Sequence, residues 1–538
     1  MINTHHIKNN RLGILLLVCF SILSCTDLEI EETDSRLQEG FNGIETAEEA
    51  ANSVGALYNS LNGYIGDQAN LYALTEVTTD EQLVPTRGSD WGDNGIWRQM
   101  HQHSWTPDHN YITNVWNQWN ELQLGASEVI DERSASSDES RAQAYFLRAL
   151  GMYVILDNFG QVPYRDTAAS PLDDPEVLTG DDAINFIVSD LENAISGLPI
   201  IAPGDGNNRA GKAAARYLLA KTLLNKHIFN GSGTANPADM DQVVSLVDQI
   251  ANDGYGLVAG YFDIFKEDMD NETIWYIPTS VGNRIWNGLH YNQITPEQSG
   301  GWNGFSTLAE FYDLFEGDPN VNTEGSGQEE RRGFVPDIAS DNIDETNYGI
   351  GYGFLISQQY SVATNEDGDI ITPLEPVAAT DRGGSPLGYT RDFTNASTGE
   401  PSLTDNDEVS GIRVIKYHPA NGAFKEHEIF FRYSDAHLMK AEAIMRGGGD
   451  PTALVNELRT LRGASELTGI SEQGLLDERG RELYTEFWRR NDMIRFGQYN
   501  KDWDFKDPDA VGNSDRNLFP IPASQLPLNP NLVQNPGY

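Results

Sequence analysis

An apolar run from Leu12 to Leu23 stops two residues short of Cys25, one of only two cysteines in 538 residues, and the acids Asp27, Glu29, Glu31 and Glu32 follow directly. Lys8 and Arg11 give the run a basic start, and it is too short to cross a bilayer as a stable helix. It reads as a signal peptide covering residues 1–24, cut before Cys25. The other cysteine, Cys19, lies in the part removed, so the mature chain forms no internal disulfide. An exported chain without disulfides has to hold itself together with a large apolar core. Its length suffices for one sizeable core or two fused units.

The cut site Ile22-Leu23-Ser24-Cys25 resembles a bacterial lipobox, with Ile where Leu is most usual. That resemblance makes the Cys25 thiol the carrier of diacylglycerol. Each buried methylene contributes about 0.8 kcal/mol, so several acyl chains make an effectively permanent membrane anchor. Residues 25–43 then form the lipid anchor and an acidic tether, and 44–538 the folded domain.

The formal charge is −45, and the signal peptide contributes two bases and no acid, so the mature chain is two charges more negative. Such a surface repels polyanions, which disfavours nucleic acid and sulfated or uronate-rich polymers as ligands. A neutral ligand fits better, although the same acidity also serves solubility.

Two helix-rich regions, 44–254 and 426–538, flank an irregular one, 255–425. Thr46 followed by Glu49 reads as a capping box before Ala50, Val54, Leu57 and Leu61. Thr106-Pro107 predicts the start of a second helix burying Ile112, Val115, Trp116 and Trp119. A third carries the stripe Ala142, Tyr145, Phe146, Ala149, Tyr153 and Leu156 and ends at Gly160 and Pro163. Further helices are expected at 181–196, 212–229, 240–251, 434–446, 451–462 and 475–496. Their lengths and short links predict antiparallel pairs like tetratricopeptide units, without a repeat of fixed period. The middle region is rich in Gly, Asn, Asp, Thr and aromatics, with strand-like runs at 273–278 and 413–417, and predicts loops and small sheets. The Pro- and Asn-rich tail, 520–538, is expected to lie extended across the body.

Five segments carry a resemblance when taken in order behind a lipidated cysteine: RALGMYVILDNFGQVPY (148–164), RYSDAHLMKAEAIMRGG (432–448), ERGRELYTEFWRRNDMIRFG (478–497), FPIPASQL (519–526) and NPNLVQNPGY (529–538). With them the chain resembles the SusD/RagB family of outer-membrane nutrient-binding lipoproteins of the Bacteroidetes over essentially the whole mature length. Arg490 stands where the family commonly has Trp. The resemblance implies a mainly α, SusD-like fold, an acidic export signal after Cys25, and a position on the outer membrane facing the exterior. It also implies a SusC-like TonB-dependent transporter as partner and oligosaccharide as cargo, with peptide as the RagB-like alternative.

Three glutamates, Glu478, Glu482 and Glu486, share one helix side, with Glu486 spaced to reach Arg489 or Arg490. Helical ion-pair spacing explains them as scaffold, without the paired carboxylates of a glycoside hydrolase. No HExxH or similar histidine pairing and no Cys/His cluster for zinc exists, and GGSPLG (383–388) lacks the context of a nucleophile elbow. The stretches NEDGDI (365–370) and TDNDE (404–408) offer oxygen ligands for a structural calcium but read more simply as solvated turns. The expectation is a binding protein, not an enzyme.

Tryptophan points to where it binds, because a sugar ring packs its C–H face on an aromatic face while side chains bond its rim hydroxyls. Trp116, Trp119 and Trp488 keep helical spacing among apolar neighbours and read as core. The segments 86–101 and 281–305 instead set Trp91, Trp97, Trp286, Tyr291 and Trp302 among Gly, Asp, Asn and Ser with no regular period. They form a loop-borne platform or else small clusters beneath long loops. Glycan-binding members of the family have such an aromatic arc. By that likeness Trp91, Trp286 and Trp302 are the stacking platform, with Trp97 and Tyr291 in reserve. Arg87, Asp90, Asn94, Asn287, Asn292 and Gln298 are the neighbouring hydrogen-bonding candidates, and a neutral β-glucan such as laminarin is the first expectation for the ligand.

Overall fold

Thr46 turns the chain into helix α1 (Ala47–Gly66) by the reciprocal cap expected of it: its hydroxyl accepts from Glu49 N and the Glu49 carboxylate from Thr46 N, each at 3.1 Å. The computed structural model describes residues 40–204, 206–267, 270–337 and 347–538. Residues 1–24, Cys25 and nearly all of the 25–43 tether fall outside that range. Phe41–Tyr538 forms one unit by its internal contacts.

After the short helix α2 (Ile96–Gln102), helix α3 (Asn110–Ile130) buries Ile112, Val115, Trp116 and Trp119. It does not start at Thr106-Pro107. His109 is the cap, its ring accepting from Tyr111 N at 3.3 Å, while the Pro107 carbonyl accepts Ala523 N of the tail at 3.1 Å. Helix α4 (Asp138–Phe159), capped by Ser137, is buried on nearly every side and is the centre of the helical stack. Gly160 ends it at φ +70°, where an added Cβ would meet Leu518 at 2.8 Å. The hairpin β1 (Gln161–Tyr164) with β2 (Glu176–Thr179) leads into α5 (Gly180–Gly197), α6 (Lys212–Phe229) and α7 (Pro237–Asn252). From α3 to α7 each helix packs on the next, giving the stacked pairs expected from the sequence.

The irregular region adds only small sheets. Strand β3 (Thr273–Ile277) leads to the short helix α8 (Gly282–Gly288), and β4 (Gly333–Phe334) pairs antiparallel with β5 (Tyr352–Leu355). Two further pairs join β6 (Ser357–Gln358) to β9 (Gly388–Tyr389) and β7 (Tyr360–Val362) to β8 (Pro376–Ala378). Strand β10 (Arg413–Ile415) adds to the other edge of β5, and β11 (Glu428–Arg432) pairs with β3. An apolar cluster that includes Ile285, Phe354, Ile415 and Tyr484 packs under these strands, beside the larger cluster of the helical stack.

Helices α9 (Tyr433–Arg446) and α10 (Thr452–Leu461) follow, but the single helix expected over 475–496 is two: α11 (Glu472–Leu483) and α12 (Arg489–Arg495). Thr485 and Phe487 stand at φ +61° and +73°, so the helix cannot run through. The backbone groups freed there have distant partners: Lys416 Nζ donates to the Tyr484 carbonyl at 2.6 Å, and Thr485 N donates to Glu81. The tail crosses the stack, with Phe519 N on the Asn158 carbonyl at 2.8 Å and the Asn535 amide on that of Phe159 at 2.9 Å.

The three glutamates of 478–486 are scaffold, as expected, but apart from Arg481 on the same helix their partners come from other elements, and none is Arg489 or Arg490. Glu482 takes Arg432 at 2.7 Å, Arg462 at 2.9 Å and Arg331 at 3.3 Å. Glu478 takes Arg331, Arg459 and Arg481; Glu486 takes Lys416 and Arg432. Burial alone would push the Glu482 carboxyl up, yet Arg462, Arg432 and Arg331 hold it well below the usual carboxylate range. Arg490 instead reaches Asp157 at 3.1 Å and lies over the Phe519 ring.

Candidate functional site

Three glycines let the 300–305 loop press flat against the 286–291 segment. A Cβ on Gly300 would lie 1.9 Å from the Tyr291 carbonyl oxygen, on Gly301 2.1 Å from that of Leu289, and on Gly304 1.7 Å from Asn287 Oδ1. Trp302 N donates to the Trp286 carbonyl at 2.5 Å and Asn303 N to that of Leu289 at 2.7 Å. Squeezed in this way, the loop turns the Trp302 side chain toward the surface, half-buried.

The second wall is the 86–95 loop. Trp91 takes φ +59°, an outlier for a bulky aromatic, and Asp93 and Asn94 are also left-handed, at +35° and +52°. The surroundings hold Trp91 there: its Nε1–H donates to the Trp302 carbonyl at 2.7 Å, and its ring meets Trp97 edge-on at 6.1 Å. Farther back, Asp80 pairs with Arg489 at 2.8 Å, and Glu81 accepts from Thr485 N on the turn between α11 and α12. Burial, then the like charge of Glu81, pushes the Glu76 carboxyl up, and burial pushes Glu81 to about 7.

Tyr291 closes the arc. Its hydroxyl donates to Asp90 Oδ2 at 2.7 Å, tying the two walls together. Arg382, from the 380–386 turn, lies over the same ring at 4.1 Å. Its guanidinium pairs with Asp90 at 2.8 Å and with Glu408. Glu408 also bonds His290 Nε2 at 3.0 Å, and burial pushes His290 down to about 4, so that ring is neutral at neutral pH.

Of the candidate aromatics, Trp91, Tyr291 and Trp302 are half-buried on the two segments joined by the Trp91–Trp302 and Tyr291–Asp90 bonds, and these three make the candidate arc. Trp286 and Trp97 do not present a free face. Trp286 is 8% exposed and packs edge-on against Phe424, and Trp97 is 3% exposed between Trp91, Tyr111 and Phe305. They brace the arc from behind, and a sugar could not stack on either without repacking the core.

The polar candidates also divide. Arg87 is buried and donates to the carbonyls of Asn303, Gly304 and Ser410 and to Ser306 Oγ, at 2.7 to 3.0 Å. Burial, and then neighbouring Arg413, lowers its pKa. Asn287 is buried too, its Oδ1 accepting Phe305 N at 2.7 Å. Both clamp the Trp302 loop from inside. Asp90 and Asn292 are half-buried beside the arc, with the Asn292 amide on the Thr380 carbonyl at 2.8 Å, and Gln298 is half-buried; Asn94 is exposed.

Arg382, Glu408 and His290 are at the site without having been singled out from the sequence. Glu408 is the last residue of the TDNDE stretch. In NEDGDI, Asn365 Oδ1 accepts the amides of Asp367 and Asp369, at 3.0 and 2.8 Å, as in an ordinary turn. Among the described residues no three His, Cys, Asp or Glu side chains are grouped to hold a metal ion.

Two family models match the chain, described as "SusD family" over residues 388–538 and "Starch-binding associating with outer membrane" over 44–224. The starch-binding protein SusD of Bacteroides thetaiotaomicron is 27% identical over 514 residues, covering 88% of this chain and 86% of that protein. A solved SusD-like protein of Bacteroides fragilis superposes with a TM-score of 0.66 at 19% identity, covering 93% of this chain and 98% of its own. Surface glycan-binding protein A of Bacteroides thetaiotaomicron, solved in complex with laminarihexaose, superposes with a TM-score of 0.62 at 19% identity, covering 91% and 100%.

Proposed function

The chain belongs to the SusD/RagB family, and on that premise we propose that it captures a neutral oligosaccharide on the Trp91, Tyr291 and Trp302 arc and passes it to a SusC-like TonB-dependent transporter. The observation that carries the reading is the arc itself: three half-buried aromatic side chains from two segments, locked by one indole hydrogen bond and edged by Asp90. Aromatic faces ringed by hydrogen-bonding groups are what a pyranose needs, with its apolar C–H face and polar rim.

A β-glucan such as laminarin is the proposed ligand. The laminarihexaose complex of the structural relative supports it, and the charge of −45 disfavours alginate or carrageenan. Lipid on Cys25 would keep the protein on the outer face of the outer membrane, beside the transporter. The Glu478, Glu482 and Glu486 carboxylates are all engaged by guanidinium or ammonium groups, which supports binding without hydrolysis.

Isothermal titration with laminarihexaose, alginate, carrageenan and a peptide mixture tests the reading. Heat from laminarihexaose alone supports it; heat from alginate, carrageenan or peptides alone overturns it. Release of reducing ends during long incubation would show an enzyme instead.

A further inference from the structure

We propose that Asp90, Tyr291 and Glu408 form a sugar subsite of their own at the edge of the arc, and that Arg382 occupies it as a displaceable latch. The inference rests on the arc being a carbohydrate site, and goes beyond it in naming which groups the sugar takes over and what it must push aside.

Arg382 makes every contact that a pyranose would make there. Its planar guanidinium lies over one face of the Tyr291 ring at 4.1 Å, where a C–H face would stack. Its N–H groups go to Asp90 Oδ2 at 2.8 Å and to Glu408. A carboxylate accepts a pair of neighbouring sugar hydroxyls in the same geometry in which it accepts a guanidinium fork. Sugar and Arg382 therefore compete for the same ring and the same two carboxylates.

The surroundings stay put while the arginine leaves. Tyr291 keeps its own bond to Asp90 at 2.7 Å, and Glu408 Oε2 keeps His290 at 3.0 Å and the Arg382 main-chain N at 2.9 Å. The carrying turn is closed by its own bonds, Ser385 N to Asp381 Oδ1 at 2.8 Å and Gly384 N to the Asp381 carbonyl at 3.1 Å. Only the side chain has to swing, and it is 50% exposed. Ion pairs this exposed are weak and yield to salt.

The latch lowers apparent affinity by the fraction of molecules in which Tyr291 is uncovered. Two consequences separate it from a direct contact between Arg382 and the sugar. In the unaltered protein, affinity for uncharged laminarihexaose rises as sodium chloride is raised from 0.05 to 0.5 M, because screening opens the latch. In Arg382→Met, which keeps the stem and loses the charge, laminarihexaose binds about 5-fold more tightly and the salt dependence disappears. Weaker or unchanged binding by Arg382→Met, or a salt dependence that survives it, overturns the latch. Trp302→Ala separates this from failure of the site: if Trp302→Ala loses laminarihexaose while Arg382→Met gains nothing, the latch alone is wrong. If Trp302→Ala binds as before, or the unaltered protein binds no laminarihexaose, both readings fall.

Discussion

Trp91 and Trp302, 211 positions apart, are joined by a single hydrogen bond from the Trp91 indole N–H to the Trp302 main-chain carbonyl at 2.7 Å. One ring thereby fixes the backbone that carries the other, so the arc proposed for the sugar is held in place by the fold itself. Trp91→Phe keeps an aromatic face and deletes the donor. It should weaken oligosaccharide binding several-fold, and Trp302→Ala about tenfold or more, with unchanged melting temperatures for both. Equal binding by Trp302→Ala in titration calorimetry would remove that ring from the site.

Gly304→Ala should reduce binding by displacing the loop and the Trp91 ring packed on it, without removing any side chain of the arc. The new methyl would fall 1.7 Å from Asn287 Oδ1 and 2.7 Å from the Trp91 ring, so the loop must lift. A control at Gly325, whose Cβ would meet nothing within 4 Å although its φ is +74°, should leave binding as it is. Binding by Gly304→Ala at full strength would show that the close approach is dispensable.

Glu482→Gln should destabilise the fold by about 3 kcal/mol, because it removes the one carboxylate shared by the buried guanidiniums of Arg331, Arg432 and Arg462 and leaves them to Glu478, Glu486, Glu329 and Glu272. Urea denaturation would show the loss as a lower midpoint. A variant as stable as the parent would mean that the three arginines find other partners.

Acid should unfold the protein earlier than its surface carboxylates alone would. Burial pushes His101, His109, His290 and His427 from 6.5 down to about 4. Between those values the unfolded chain binds more protons than the folded one, so stability is full above about 6.5 and falls as the pH drops toward 4. Glu81, pushed up to about 7, and Glu76, also pushed up, run the other way, because each keeps its proton in the folded state over a range in which the unfolded chain has lost it. Four imidazoles outweigh these two in that window. Thermal melts at pH 7 and 4.5 should show the drop, and His101→Gln should shrink it; a flat profile would contradict the burial of these rings.

The parts legible in the sequence are those decided by neighbours. Thr46 and Glu49 form their box because both partners sit within one turn, and Trp116 and Trp119 are buried because α3 has one apolar face. Thr106-Pro107 carries an equally good local signal and fails, because the Pro107 carbonyl is held by Ala523 from the far end of the chain. The break at Thr485 is likewise set by Lys416 and Glu81, neither of which is near it in sequence. At the candidate site, glycine and asparagine around aromatics marked two segments that the fold brings into contact. Separating Trp302 from Trp286 took the fold, since Ile285, Trp286 and Leu289 lie on the buried side of α8 and its C-terminal turn, under Phe424. Arg382 had no local signature, because a lone arginine in a turn gains meaning only from Asp90 and Glu408.

The pairing of Asp80 with Arg489, and of Glu81 with Thr485, spans more than four hundred positions. Helices α3 to α7 have neighbours close in sequence and can assemble early, whereas the loop bearing Trp91 has no foundation until the last tenth of the polypeptide has emerged. A molecule interrupted during synthesis would therefore own most of its helical stack while Asp80 and Glu81 still lacked their partners, so this loop is among the last parts of the fold to be secured.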